Sequence, residues 1–387
     1  MACFIKLPNP EEKGVLTFTT VEYADFISKS GKLRNSLSKL KDLWVFGLHH
    51  NSSHKNHDFA PDPLFDFHIA GQGDLKSPSG IPFYQIEMDC SNFCPDFFEN
   101  NDLNHKKFWD VLIIARNVRF KFLDDTLSIA RKIFNVKPIR ILAIVSHEKL
   151  HQKNVGSSEI IENYLKMFNW DERKFFTLMT PSVDYPFPFD LETLSFFYHH
   201  SKIFLHTARE ERHPRVAAYA WAAGLPVIAP EQVGSLLSED MKNPPGFWKY
   251  ETKDKAASNI LKALNTPMTE EQTKIYSKNF LSRHNLPRFK NELKKMFSSL
   301  KINFTDSRWI LSDLDIRLAR HHDGIQSRNS IPMTLNELFE LIQTIQKFPP
   351  LDSRDFEMEM IQENQKEPTS NGTDNFKFSF LKKIFKY

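Results

Sequence analysis

The 387-residue sequence predicts an α/β protein built around a doubly wound parallel sheet, and three observations carry that expectation. From Phe108 to about Leu264, short apolar runs alternate with stretches of helical period, strand then helix, repeatedly. The segment "HTAREERHPRVAAYAWAAGLPVIA", His206 to Ala229, reads as strand end, loop, helix, glycine stop and strand. The composition, 41% hydrophobic and 26% charged, is that of a globular chain with length enough for two ordinary domains. Alternation of this kind covers both faces of a parallel sheet with helices and leaves ligands at the carboxyl ends of its strands.

The first hundred residues are less regular. "GVLTFTT", "DLWVFGLHH", "FDFHIAG" and "PFYQIEM" read as strands, with a helical "SLSKLKD" between the first two, which predicts a short α/β domain over 1–104. The regular part, 105–300, then runs "FWDVLIIA" (strand), "FLDDTLSIARKIF" (helix), "PIRILAIV" (strand), "SEIIENYLKMF" (helix), "KFFTLMT" (strand), "LETLSFFYHH" (helix) and "KIFLHT" (strand). In the unit that follows, Pro214 suits a first helical position, the run Val216 to Ala223 is rich in helix formers, and Gly224 ends it. Alanines at 217, 218, 220, 222 and 223 let this helix lie close on a sheet, and Leu225 to Ala229 reads as its buried neighbour strand. Helices are expected at Thr269–Ser282 and Arg288–Leu300, and a mainly helical segment over 301–360. Residues 361–375 are polar with Pro and Gly and read as a linker. In the tail after it, 376–387, Phe380, Leu381, Ile384 and Phe385 share one helical side, with Lys382, Lys383 and Lys386 elsewhere. Helices that rest on anionic membranes have this pattern, and so does a last helix that docks on the body of the protein; the sequence leaves both readings of the tail open, peripheral membrane contact among them.

Charge excludes some classes. Lys and Arg total 51 against 48 Asp and Glu, so no global field favours nucleic acid, and no basic stripe with interleaved aromatics appears. The first residues lack a charged start followed by an apolar core, and no stretch approaches the roughly 20 apolar residues that span a bilayer. A cytoplasmic protein is expected. Three cysteines, Cys3, Cys90 and Cys94, cannot all pair, and reduced thiols are the default.

The chemistry concentrates at two places. The helix start at Pro214 and Arg215 offers free backbone N–H groups and the positive end of a dipole, a site for phosphate. Glu210 and Glu211 would repel a phosphate, and sugar hydroxyls are the groups two carboxylates are suited to hold. The strand "DVLIIA" ends at Arg116, and Lys121 follows five residues later, so two cations stand near the carboxyl end of a core strand, able to neutralise a diphosphate.

These motifs together resemble the group 1 glycosyltransferases of the GT-B fold. The resemblance rests on the Arg116–Lys121 pair after a strand, on "LSFFYHHSKIFLHTAREERHP", and on "E-x-x-P-R-V" followed by "A-x-A-A-G-L-P-V-I-A", and it covers about Phe108 to Leu264. It implies two Rossmann-like domains, the second binding a nucleotide-diphosphate sugar. It also implies glycosyl transfer without a metal and usually with retention of anomeric configuration. Arg116 and Lys121 would hold the diphosphate. Two glutamates eight residues apart hold sugar and ribose hydroxyls in that family. The first falls on Glu211, or on Glu210 if counted from the preceding strand, and the second falls on Tyr219, a departure that leaves ribose recognition open. Tyr219 is then expected to face the nucleotide and give it one hydrogen bond.

Histidines and further carboxylates add lesser candidates. His49 and His50 end the strand "DLWVFGL" and are expected to exchange a proton with, or contact, an acceptor across a cleft. His54, His57 and Asp58 on the polar loop after it, and "CSNFC", match no strong zinc pattern. Asp313 and Asp315 read as a helix opening, with Ser312 as cap and Asp315 completing a capping box. No metal or cofactor is expected. The favoured reading is a glycosyltransferase acting on a glycan, lipid or protein acceptor. The other class kept open is a catalytically inactive relative serving as a binding or scaffold module.

Overall fold

The computed structural model describes residues 3–29, 31–50, 57–58, 60–71, 75–76, 80, 82–100, 106–117, 121–146, 157–180, 189–209, 211, 213–237 and 244–318. The expectations for the linker 361–375 and the tail 376–387 fall outside these residues, as do those for Glu210 and His54.

The first sheet comprises β1 (Cys3–Lys6), β2 (Gly14–Thr19), β3 (Trp44–His49), β5 (Phe67–Ala70) and β7 (Tyr84–Glu87), in that spatial order. β4 (His57–Asp58) and β6 (Leu75–Lys76) form a separate two-stranded ladder. β2, β3, β5 and β7 pair in parallel, and β1 is antiparallel to β2. β1 was not foreseen, because all four of its residues are buried and "CFIK" carries no alternation. In three dimensions it does alternate. Cys3 and Ile5 join the core on one face of the sheet and Phe4 joins the core on the other. Its outer edge is covered by a late segment, through Leu7 N–H to Arg308 C=O and Ile310 N–H to Ile5 C=O, both 2.9 Å, which protects an otherwise open strand edge. Two short helices, α1 (Thr20–Glu22) and α2 (Gly31–Lys39), lie between β2 and β3.

The second sheet runs in the order β10-β9-β8-β11-β12-β13, every pairing parallel. Its strands are β8 (Trp109–Arg116), β9 (Ile141–Ser146), β10 (Phe176–Met179), β11 (Ser201–Leu205), β12 (Val227–Pro230) and β13 (Phe247–Tyr250). The helices between them are α3 (Leu123–Phe134), α4 (Ser157–Met167), α5 (Trp170–Arg173), α6 (Leu191–His199) and α7 (Arg215–Ala222). The chain moves outward through β9 and β10, then returns to the other side of β8 with β11. The order therefore reverses between β8 and β11, and the crevice outside their carboxyl ends is where doubly wound sheets bind ligands. α3 and α8 (Lys253–Ala263) cover one face, with Leu127, Ile133 and Ile260 in the core beneath. α7 and α9 (Glu270–Phe280) belong to the core on the other face. Gly224 ends α7 with φ +75°, where a Cβ would stand 3.0 Å from the Thr273 side chain.

The last long helix departs from the sequence expectation. α10 (Ser282–Ser299) begins well before Arg288 and carries Pro287 inside it. Its Phe289, Leu293, Met296 and Phe297 are buried in the core of the first sheet, although the sequence places it with the second. That burial outweighs the hydrogen bond lost at proline. The chain thus closes back on its first domain and ends, as described, in α11 (Leu314–Arg317). α11 opens where expected but with a different cap. Asp313, at φ 51°, is the N-cap without a side-chain bond, and Asp315 is buried inside rather than completing a capping box with Ser312. Among the described residues no helix is long and apolar enough to cross a membrane.

Candidate functional site

The reversal point between β8 and β11 gathers the charged residues singled out in the sequence. β8 ends at Arg116. Lys121 stands five positions further on, and Phe122, with a left-handed φ of 51°, leads the chain into α3. The loop after β11 supplies His206, Glu211 and His213 before α7. The two loops are stitched together by Thr207, whose hydroxyl donates to Lys121 C=O at 2.8 Å and meets the Thr126 hydroxyl at 3.1 Å.

Lys121 is buried, and its ammonium is paired with Glu211. Glu211 Oε2 also lies 3.2 Å from His206 Nε2. Burial pushes the Lys121 ammonium below its ordinary pKa, against the pull of Glu211, and the charges of Arg116 and Arg215 push it the same way. Burial would raise the Glu211 carboxyl, but Lys121 and His206 overcome it and hold it well below the usual carboxylate range. The site is therefore an ionised glutamate inside a group of three cations, with 20% of its side chain still open to solvent. Such a group has positive charge in excess, which suits a dianionic or trianionic ligand.

Pro214 is the N-cap of α7 rather than its first helical residue. Its φ of −71° and ψ of 112° are extended, and its carbonyl accepts from Ala217 N–H at 2.9 Å. Pro214 has no polar side chain and does not cap this end, which leaves the N–H groups of Arg215 and Val216 without a side-chain acceptor among the described residues. Arg215 reaches sideways, and its guanidinium donates to Asp315 C=O of α11 at 2.8 Å.

Tyr219 lies elsewhere than expected. Its ring is buried and stacked on Phe98 at 4.3 Å and 8°, and its hydroxyl donates to Asp315 Oδ2 at 2.6 Å. The hydrogen bond assigned to a nucleotide is already made within the protein. Nothing in the helix itself foretold this, because Asp315 is 96 residues away in the chain. Burial raises the Asp315 carboxyl to about 6, only partly opposed by Arg215 and the Tyr219 hydroxyl, and Asp313 adds to the rise. A carboxyl whose folded pKa lies above its ordinary 3.8 contributes stability that is complete below that value and is lost as pH rises through about 6. Between pH 4 and 7, wild type is therefore expected to lose about 3 kcal/mol relative to Asp315→Asn, which keeps an acceptor for Tyr219. Urea unfolding of both proteins across that range measures it, and parallel pH curves would show that Asp315 titrates normally.

His49 and His50 do not open onto an acceptor. His49 is fully buried, with Nδ1 2.8 Å from Leu318 C=O and Nε2 3.4 Å from Asp89 Oδ2. His50 Nε2 lies 3.0 Å from His68 Nδ1, itself buried and lowered to about 4 by that burial. Both stand on the carboxyl end of β3, as the sequence placed them, but the return of the chain through α10 and α11 covers that end. Sequence reasoning missed His206, His213 and Asp89, and read Asp315 only as a capping residue. Only His206, directly after a strand at the same edge as Arg116, carried a signal that could have been read. His57 and Asp58 form β4, and their side chains lie outside the description.

No family model matches the sequence, and no curated protein does. Among solved structures the chain is similar to the pneumococcal O-GlcNAc transferase GtfA, solved with UDP and GlcNAc. The TM-score is 0.49 at 11% identity, over 69% of this chain and 55% of that one. It is similar to sucrose-phosphate synthase from Thermosynechococcus elongatus, with TM-score 0.49 and 13% identity over 69% and 72% of the two chains. It is also similar to a glycosyltransferase from Rickettsia africae, with TM-score 0.49 and 11% identity over 70% and 75%. The chain thus spans about half the length of GtfA. These are likenesses of chain course, and the functional reading below stands on this chain's own residues.

Proposed function

We propose that this protein transfers a glycosyl group from a nucleotide-diphosphate sugar, holding the diphosphate at the crevice between β8 and β11. The observation that carries the reading is the convergence of Arg116, Lys121, Arg215 and the uncapped start of α7 around one buried, ionised glutamate. Cleavage of the sugar–phosphate bond builds negative charge on the leaving diphosphate and positive charge on the sugar ring. Cations fixed before the reaction stabilise the first without reorganising. Lys121 has three N–H donors, one of which suffices for Glu211, so it can meet a phosphate while still paired. Glu211, kept ionised, accepts from donor-sugar hydroxyls and lies on the side where positive charge grows. Three cations neutralise a diphosphate without a catalytic metal at that point, and the resemblance to group 1 enzymes further implies retention of configuration.

One observation favours the second reading, a binding module without turnover. The hydroxyl of Tyr219 is closed off by Asp315, and the ribose is left without the carboxylate that group 1 enzymes place there. A panel of nucleotide-diphosphate sugars separates the two. A transferase is expected to release nucleoside diphosphate from one donor, faster with acceptor present, and Glu211→Gln is expected to slow release at least tenfold while leaving nucleoside diphosphate affinity nearly unchanged. Binding without release in wild type would favour the module, and absence of both would remove the site from consideration.

A further inference from the structure

Beside the seam between the two domains, three side chains of different chemistry converge outside the phosphate site. His49 ends β3, and Asp89 and Cys90 follow β7. All three are buried, and one donor atom from each lies within 4.8 Å of the other two. Their protonation poses a problem that hydrogen bonding alone does not solve. His49 Nδ1 is 2.8 Å from Leu318 C=O, and because a carbonyl only accepts, Nδ1 carries a hydrogen. In a neutral ring Nε2 then presents a lone pair, and it faces the Asp89 carboxylate at 3.4 Å. Two acceptors face each other in a dry place, and Nε2 makes no hydrogen bond among the described residues.

The distance discriminates between the two cations that can reconcile them. A proton on Nε2 would give a charge-assisted hydrogen bond of about 2.7 to 2.9 Å. A tetrahedral metal with ligands about 2.0 to 2.1 Å away sets neighbouring donor atoms about 3.3 Å apart. The observed 3.4 Å fits the second. The supporting contacts fit as well. The Nδ1–H of His49 on a backbone carbonyl is the usual outer anchor of a metal-bound imidazole. Asp89 Oδ1 accepts from the Ser91 amide and hydroxyl, both at 3.1 Å, and from the Cys90 thiol at 3.0 Å, which fixes the carboxylate and leaves Oδ2 for a single metal bond; metal binding at Cys90 Sγ would release that thiol proton. One nitrogen, one oxygen and one sulfur donor favour zinc over magnesium or calcium.

We propose that His49 Nε2, Asp89 Oδ2 and Cys90 Sγ bind a zinc ion at this seam. The pairing of cysteines in "CSNFC" does not contribute, since the Cys94 thiol donates to Ser91 C=O at 3.2 Å. His213, from the loop before α7, reaches the same Asp89 Oδ2 from the second domain, with Nδ1 at 3.4 Å. The metal would thereby fix the carboxylate that both domains share, and through it His213, the residue before the helix start at Pro214.

Full-length protein loaded with zinc chloride and desalted is expected to retain about one zinc per chain by mass spectrometry, and Cys90→Ser to retain several-fold less. Because truncating the fully buried His49 threatens the fold, the cobalt form provides the second measurement. Cobalt-loaded wild type should show a thiolate-to-metal charge-transfer band that Cys90→Ser abolishes while circular dichroism stays native. Two results overturn the proposal. One is wild type that holds no zinc or cobalt after loading, which leaves His49 and Asp89 as a contact within the protein and no more. The other is Cys90→Ser with full stoichiometry and an unchanged spectrum, which puts any bound metal elsewhere.

Discussion

Lys121→Ala is expected to weaken nucleoside diphosphate binding by about 1.5 to 3 kcal/mol, roughly a ten- to hundredfold rise in Kd. It is expected to destabilise the fold as well. Glu211 would lose its ammonium partner while still bonded to His206, and a buried charge left by its partner costs about 3 to 5 kcal/mol. The lower end applies, because 20% of the Glu211 side chain remains exposed and water can reach it. The two effects separate in a double variant. Lys121→Ala with Glu211→Gln removes the unpaired charge, so stability should recover by most of the loss while diphosphate affinity stays low. Calorimetric titration with a nucleoside diphosphate and urea unfolding of wild type and the two variants test this. Recovery of affinity along with stability would mean that Lys121 serves only to neutralise Glu211.

Trp221→Ala is expected to cost about 3 to 5 kcal/mol, as large buried aromatics do when truncated. Trp221 projects from α7 and is fully buried. It stacks on Tyr276 and Phe280 of α9 at 5.5 and 5.7 Å, and Phe247 meets it edge-on at 5.5 Å. The alanines around it bring the helix close to the sheet, so few neighbouring atoms can move in to fill the void. Its indole N–H has no hydrogen-bond partner among the described residues. Trp221→Phe therefore loses no bond and should cost only about 1 to 2 kcal/mol, through lost contact area. Equal losses for both substitutions in thermal or urea unfolding would contradict this packing account. The helix start that faces the crevice is held in place by this contact, so Trp221→Ala should weaken diphosphate binding without touching the ligand.

Most of the second domain was legible in the chain. Strand and helix alternate there with clear periods, and each boundary is set by neighbours within a few residues: Gly224 at a left-handed turn, Asp190, Thr252 and Thr269 as caps. Arg116, Lys121 and Glu211 were legible for the same reason. A residue just past a parallel strand must emerge at the carboxyl edge, and the reversal of strand order brings two such edges together. β1 was not legible, because its alternation exists only between two cores that other segments provide.

The partners of individual side chains lay beyond any local pattern. Tyr219 meets Asp315 across 96 residues, Lys121 meets Glu211 across 90, and His49 meets the carbonyl of Leu318 across 269. The sequence alone established most strands and helices of the second domain and which edge carries the charge, since turn chemistry and periodicity act over a few residues. Only tertiary structure settled that α10 and α11 return over the first domain, burying His49 and engaging Tyr219. Side-chain partners there follow from packing surfaces brought together by chain closure, and a burial that large overrides what each residue's own neighbourhood prefers.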